Sequence, residues 1–229
     1  MAMKKSDIAR FLILRSIGNF LVLFGLFGVG MTFGPALYEE GRYQLDRMEG
    51  VTYVVATPHQ NPFTGAFSNV IAQTGNVHVL VPPDPFFSIV IPKIGAAERV
   101  IPNVDTTNQA EYVAALQKGI AHAKGSVFPG LKGTTYLFAH STDSWWNVGR
   151  YNAVFYLLKD LTVGDDVYVF FNGVRYNYKV VKTEIIDPSD VSLLVNAQTS
   201  DEQLVLQTCW PPGTTFKRQM VIAKLIGSN

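Results

Sequence analysis

The feature that most restricts the fold is a hairpin written into residues 166–180. Asp166 to Phe171 alternates in the manner of a strand, Asn172-Gly173 is a strong two-residue turn signal of type I′, and Val174 to Val180 alternates again. An isolated hairpin is marginal in water, so further strands must cover it. The chain supplies them. Phe86 to Ile91 reads as a strand ending at a turn near Gly95, Arg99 to Ile101 as a short strand, and Thr134 to Ala139 as a strong one. Val181 to Ile186 extends the hairpin, and Leu204–Leu206 and Met220–Ala223 flank a loop. Helical signals are few: Gln109 to Lys118 behind a cap at Asn108 and stopped by Gly119, a short helix in 151–160, and a helical turn within the loop 187–200. About eight short strands with no βαβ rhythm, no phosphate-cradling glycine loop and no internal repeat predict a mainly β domain, a closed or nearly closed mixed β-barrel.

Ahead of this domain, Phe11 to Phe33 is almost wholly apolar, and Ser16 to Phe33 carries no charge over 18 residues. That length is near the minimum for a helix crossing a bilayer, and Arg15 can snorkel to the interface. Lys4, Lys5 and Arg10 precede the run. They predict a single-pass protein of the cell membrane with a cytoplasmic N-terminus and its bulk outside. A cleaved signal peptide is the competing reading. Gly34-Pro35-Ala36 offers a small-residue site, but the run is longer than a usual signal core and the proline fits poorly, so a retained anchor is expected. The division that follows is a cytoplasmic stretch 1–10, a transmembrane helix 11–35, a juxtamembrane stalk and linker 36–85, and the barrel 86–229. The linker is expected to hold one or two short strands, Val77 to Val81 among them.

Nineteen basic and 18 acidic residues leave a net charge of +1, which gives no basic field for nucleic acid. A single cysteine, Cys209, excludes an intrachain disulfide and a cysteine-rich zinc site. His59 and His78 have no carboxylate or cysteine companions in sequence, so no metal is expected at them.

The chemistry gathers at strand ends. Cys209 follows Leu204–Leu206, a Trp210-Pro211-Pro212-Gly213 turn comes next, and Arg218 opens the following strand. If the two strands are neighbours, a guanidinium returns close to a thiol. A nearby cation raises the thiolate fraction of a cysteine whose free pKa is about 8.5, and it can also stabilise an oxyanion. His140-Ser141 ends another strand, which would complete a Cys–His nucleophilic pair. Each residue alone has a plainer reading: a buried small hydrophobe for Cys209 and a hydrogen-bonded strand-end residue for His140.

Together these residues resemble the sortase family. Leu204 to Cys209 with Arg218 nine residues on is similar to its Thr-Leu-x-Thr-Cys…Arg signature, and Thr135 to His140 to the strand leading to its catalytic histidine. Phe87 to Gly95 looks like its first barrel strand, and Gly119 to His122 like its Gly-x-x-His segment, which is read as structural. The resemblance spans about residues 86–226, in the family's order. It implies an eight-stranded sortase-type barrel behind a membrane anchor, and a cysteine transpeptidase that cuts a Leu-Pro-x-Thr-Gly-like sorting signal between Thr and Gly. Carried over, Cys209 would form a thioacyl intermediate. His140 would act as acid and then base, Arg218 would hold substrate backbone and oxyanion, and Thr208 would assist. The implied partners are sorting-signal peptides of secreted proteins, an amine nucleophile of the cell envelope or of another protein, and membrane lipid. No cofactor or metal is implied.

The sequence departs from the family pattern at Ala139, where glycine is common, and at Trp210, where a smaller or acidic residue often stands. Trp210 is equally a pocket wall or loop packing. Trp145, with Trp146, lies in the loop after His140 and is a candidate for contact with the same peptide, as is Ser141. Asp84-Pro85-Phe86 matches the lid motif of pilin-polymerising members in letters, but it runs straight into the first barrel strand and is read as its lead-in. A single N-terminal anchor favours surface-protein anchoring. An L,D-transpeptidase-like enzyme is disfavoured because Gln207-Thr208, not His-Gly, precede the cysteine. A catalytically inactive, membrane-tethered peptide-binding barrel is the remaining alternative.

Overall fold

In a computed structural model of the protein, the residues described are 5–56, 76–141, 155–199, 201–212 and 214–229. Helix α1 (Lys5–Met48) opens the chain, followed by strands β1 (Thr52–Val55) and β2 (Val77–Leu80), which pair in parallel as a small separate sheet. The remaining strands are β3 (Phe87–Ile91), β4 (Ala96–Val104), β5 (Ile120–Ala123), β6 (Thr134–Phe138), β7 (Asp166–Phe171), β8 (Val174–Ile186), β9 (Gln203–Trp210) and β10 (Lys217–Ser228). They close into a barrel in the order β10-β8-β7-β3-β4-β5-β6-β9. The pairs β4–β5 and β6–β9 are parallel and the others antiparallel. This is the eight-stranded mixed barrel that the strand pattern predicts.

Local chemistry explains the joints. Asn172 and Gly173 turn β7 into β8 with φ of 49° and 79°, both positive as a type I′ turn requires, and Phe171 pairs Val174 directly across it. Parallel β4 and β5 need a crossover, supplied by helix α2 (Gln109–Leu116), whose cap Asn108 accepts a hydrogen bond from the Glu111 N–H at 3.3 Å. Asp84 accepts from the Phe86 N–H at 2.8 Å and pairs with Arg99 at 2.9 Å, while its carbonyl accepts from Ser88 Oγ at 2.6 Å. Asp84-Pro85-Phe86 is thus tied down as the lead into β3. In the short strand β5, His122 is fully buried. Its Nδ1 accepts from the Asn103 N–H at 3.2 Å, and its Nε2 lies 3.1 Å from the Val127 carbonyl and 2.9 Å from Ser126 Oγ. With Nδ1 accepting, the proton sits on Nε2. The ring stacks on Phe128 at 4.6 Å and packs beside Phe87. Burial pushes its pKa down, so it is neutral.

Strand alternation sorts the side chains around the site. Leu137, Ala139, Leu204, Leu206, Val221 and Ala223 belong to the main core inside the barrel. Tyr136, Val205, Met220 and Ile222 form a second cluster on the outer face, covered by Leu193 and Leu194 of a short helix α3 (Ser192–Val195). The helical turn expected in 187–200 is this element.

Helix α1 contains an apolar stretch, Ile8–Met31, long enough to cross a membrane. Past this stretch the same helix continues through the charged residues 36–48 to Met48. Residues 36–48 are therefore a continuation of the helix that holds the apolar stretch.

Candidate active site

β9 and β10 are antiparallel neighbours, and their register sets Arg218 directly opposite Cys209. On the other side of β9, parallel β6 brings Phe138 level with Gln207, and the Ala139 N–H donates to the Gln207 carbonyl at 3.1 Å. The next residue, His140, is carried by that register to the level of Cys209. Neighbouring strands lie about 5 Å apart, so the expected trio comes from three adjacent strand ends. It also shares a face. Leu204, Leu206 and buried Thr208 alternate inward, which turns Val205, Gln207 and Cys209 outward. By the same alternation Tyr136, Phe138 and His140 face outward from β6, and Arg218, Met220 and Ile222 from β10.

Cys209 and His140 are each partly exposed. Thr208 is buried beneath them, and its Oγ1 donates to the Ala139 carbonyl at 2.9 Å. That bond ties the strand end bearing His140 to the strand bearing Cys209. Ser141 is buried as well. Arg218 is half-buried and its Nη1 donates to the carbonyls of Thr215 and Lys217 at 3.2 and 3.1 Å, which anchors the guanidinium over the loop between β9 and β10. Trp210 is half-buried beside Cys209, with a cis bond to Pro211. The remaining candidate, Trp145, lies outside the described residues, as do Trp146 and His59.

Two groups that sequence reasoning missed share this face. The Tyr136 hydroxyl donates to Gln207 Oε1, and Gln207 is two residues before Cys209. Burial dominates in pushing the Tyr136 pKa up, with the Arg218 cation opposing it and the Asp190 carboxylate adding to it, so Tyr136 remains a protonated donor. Asp190 belongs to the segment that leads into α3, and the neighbouring Asp187 is bound to Lys217 at 3.1 Å. Counting back in steps of two from His140 and Cys209 along their strands reaches Tyr136 and Gln207, a signal present in the sequence. Among the described residues there is no cluster of His, Cys, Asp and Glu that would hold a metal ion.

The barrel thus carries a thiol, an imidazole and a guanidinium on one face of three adjacent strand ends. The sortase domain family matches residues 89–226, and the chain belongs to that family. It is 29% identical to sortase D of Bacillus subtilis over 139 residues, which make up 59% of this chain and 61% of that relative. A sortase D5 transpeptidase of Clostridium perfringens has a similar structure, with a TM-score of 0.50 and 26% identity over 63% of this chain and 80% of that one. Sortase A of Listeria monocytogenes, 24% identical, shares the fold with a TM-score of 0.51 over 64% of this chain and 90% of its own.

Proposed function

We propose that this protein is a membrane-held cysteine transpeptidase that cleaves a Leu-Pro-x-Thr-Gly-like sorting signal on secreted proteins and joins the acyl fragment to an amine of the cell envelope or of another protein. The observation that carries the reading is the register pairing Arg218 with Cys209, with His140 brought beside them on the same face. The Cys209 thiolate adds to the scissile carbonyl. Arg218 faces the oxyanion. The C–N bond breaks as His140 delivers a proton to the departing amine, leaving a thioester. The acceptor amine gives its proton to His140, adds to the thioester carbonyl and expels the thiolate. Thr208 positions the strand end that carries His140. Tyr136, Gln207 and Trp210 are assigned to the peptide groove. The anchor's N-terminus is cytoplasmic and the barrel, residues 86–229, works outside.

The test uses the full chain in proteoliposomes with a quenched Leu-Pro-x-Thr-Gly peptide library and triglycine as acceptor, read by mass. Cleavage after Thr with transfer to the amine, lost in Cys209→Ala, His140→Ala and Arg218→Ala, is the expected result. No turnover together with a Cys209 inert to alkylation would favour the inactive peptide-binding barrel instead.

A further inference from the structure

Beyond the anchor, α1 has a second attachment, to the barrel itself. Glu40 Oε2 meets Lys159 Nζ at 2.8 Å, and Lys159 also reaches Asp160 at 3.0 Å and lies 5.2 Å over the Tyr156 ring. These three partners sit on the 3-10 turn Tyr156–Asp160, whose Leu157 and Leu158 are in the barrel core. One turn further along α1, Tyr43 is only 7% exposed and belongs to the same core, while Tyr38 and Leu45 nearby are open to solvent. The helix therefore presents one face to the barrel. Past its end the chain turns at Gly50 and runs back as β1. There Tyr53 donates to Asp46 Oδ2 of α1 at 2.6 Å, and its ring closes on Gly95, where a Cβ would come within 2.9 Å. Removal of the Tyr53 proton is opposed by burial and by the Asp46 carboxylate, which hold its pKa up at about 12. The contacts at Glu40, Tyr43 and Asp46 thus span two successive turns of the helix: Glu40 and Tyr43 hold it to the barrel directly, and Asp46 through Tyr53, whose ring lies on Gly95.

The same helix is unbroken from the apolar stretch to these contacts. At about 1.5 Å of rise per residue, residues 32–43 carry the contact point about 18 Å beyond the apolar stretch. A tether meant only to retain an enzyme needs no such arrangement, since a flexible stalk gives a wider search volume. We propose that α1 is a strut that fixes the height and facing of the Cys209 site over the bilayer, so that the enzyme selects substrates held in the same membrane whose scissile bond is presented at that height. This rests on the transpeptidase reading above.

The experiment uses the full chain in proteoliposomes with two substrates, a soluble sorting-signal peptide and the same peptide fused to a membrane-spanning segment. One variant inserts seven helix-forming residues after Tyr38, which adds about 10 Å while nearly restoring the helix face. A second, Glu40→Ala with Tyr43→Ala, releases the barrel contacts. Distance from the bilayer is read independently of activity. In a Cys209→Ala background, a dye on Val163→Cys, a position 68% exposed, transfers energy to labelled lipid.

The insertion is expected to move the dye outward by about 10 Å, leave turnover of the soluble peptide within twofold, and lower turnover of the membrane-held one at least tenfold. The released variant should broaden the distance distribution and, combined with the insertion, recover most of that loss. Unchanged turnover of the membrane-held substrate after insertion, or an unmoved dye, overturns the strut. If the wild type turns over neither substrate, the transpeptidase reading fails while the dye still tests the strut.

Discussion

Arg218 and Cys209 are direct partners across the β9–β10 ladder, so strand pairing sets the separation of their backbones, while the Thr215 and Lys217 carbonyls hold the guanidinium itself. Changes in the loop 211–216 leave that pairing intact, whereas a one-residue slip would turn the guanidinium to the barrel interior. Arg218→Lys keeps the charge but replaces the planar guanidinium, whose Nη1 donates to two carbonyls and leaves its other N–H groups to face a substrate, with a single flexible ammonium. We expect kcat/KM to fall by about a hundredfold and Arg218→Ala to fall somewhat further, in the range reported for loss of an oxyanion donor. Steady-state kinetics with intact thermal stability is the check. A Lys variant within threefold of wild type would remove Arg218 from the site.

Thr208 acts from below. Thr208→Val preserves shape and removes the donor to the buried Ala139 carbonyl, for which about 1–3 kcal/mol of stability is expected to be lost. Because that bond joins the His140 and Cys209 strand ends, activity should drop well beyond what the unfolded fraction accounts for. Denaturant melts paired with assays at 15 °C separate the two effects. An activity loss matching the unfolded fraction would make the residue purely structural.

Gly119 admits no side chain. A Cβ there would stand 2.4 Å from the Arg99 carbonyl oxygen, a backbone atom held in the β4–β5 ladder. Gly119→Ala should destabilise the barrel by about 1–3 kcal/mol through overpacking, seen as a lowered denaturation midpoint with an unchanged slope. Gly50→Ala, also at positive φ but with open space around it, should be milder.

His122 gives the fold a pH dependence. Burial lowers its folded pKa below the unfolded value of about 6.5. Above 6.5 both states are neutral and the histidine adds no slope. As pH falls through 6.5 toward the lowered folded value, the unfolded chain takes up a proton that the folded one does not, so stability declines. Melting temperatures of wild type and His122→Gln between pH 7.5 and 4.5 should show the wild-type curve falling more steeply in that window, even though the variant starts lower. Parallel curves would mean the imidazole titrates alike in both states.

The hairpin around Asn172-Gly173, the capped helix after Asn108 and the strand ends bearing His140, Cys209 and Arg218 were all legible in the sequence, because each is signalled by local periodicity or turn chemistry. Three features were not. β5 is four residues long and buried at every position, so no alternation marks it off from the turn after α2. The parallel pairing of β1 with β2 joins Thr52 to Val77, a non-local choice that neither strand encodes alone. The unbroken run of α1 through Gly34-Pro35 ran against the local signal, since that pair reads as a helix stop; the contacts of Glu40 with Lys159, of Tyr43 with the core and of Asp46 with Tyr53 hold the far end in place. At the site, Tyr136 and Gln207 escaped notice because a tyrosine and a glutamine in strands are unremarkable until the register brings them together.

The order in which the strands lie along the chain has a consequence for synthesis. Cys209 is on the ninth strand, its arginine partner is on the tenth, and β10 seals the barrel by pairing with both β9 and β8. A ribosome-bound chain that has not yet released β10 has a thiol without its cation and an open sheet. The meeting of Cys209 with Arg218 therefore waits on the same pairing that closes the barrel.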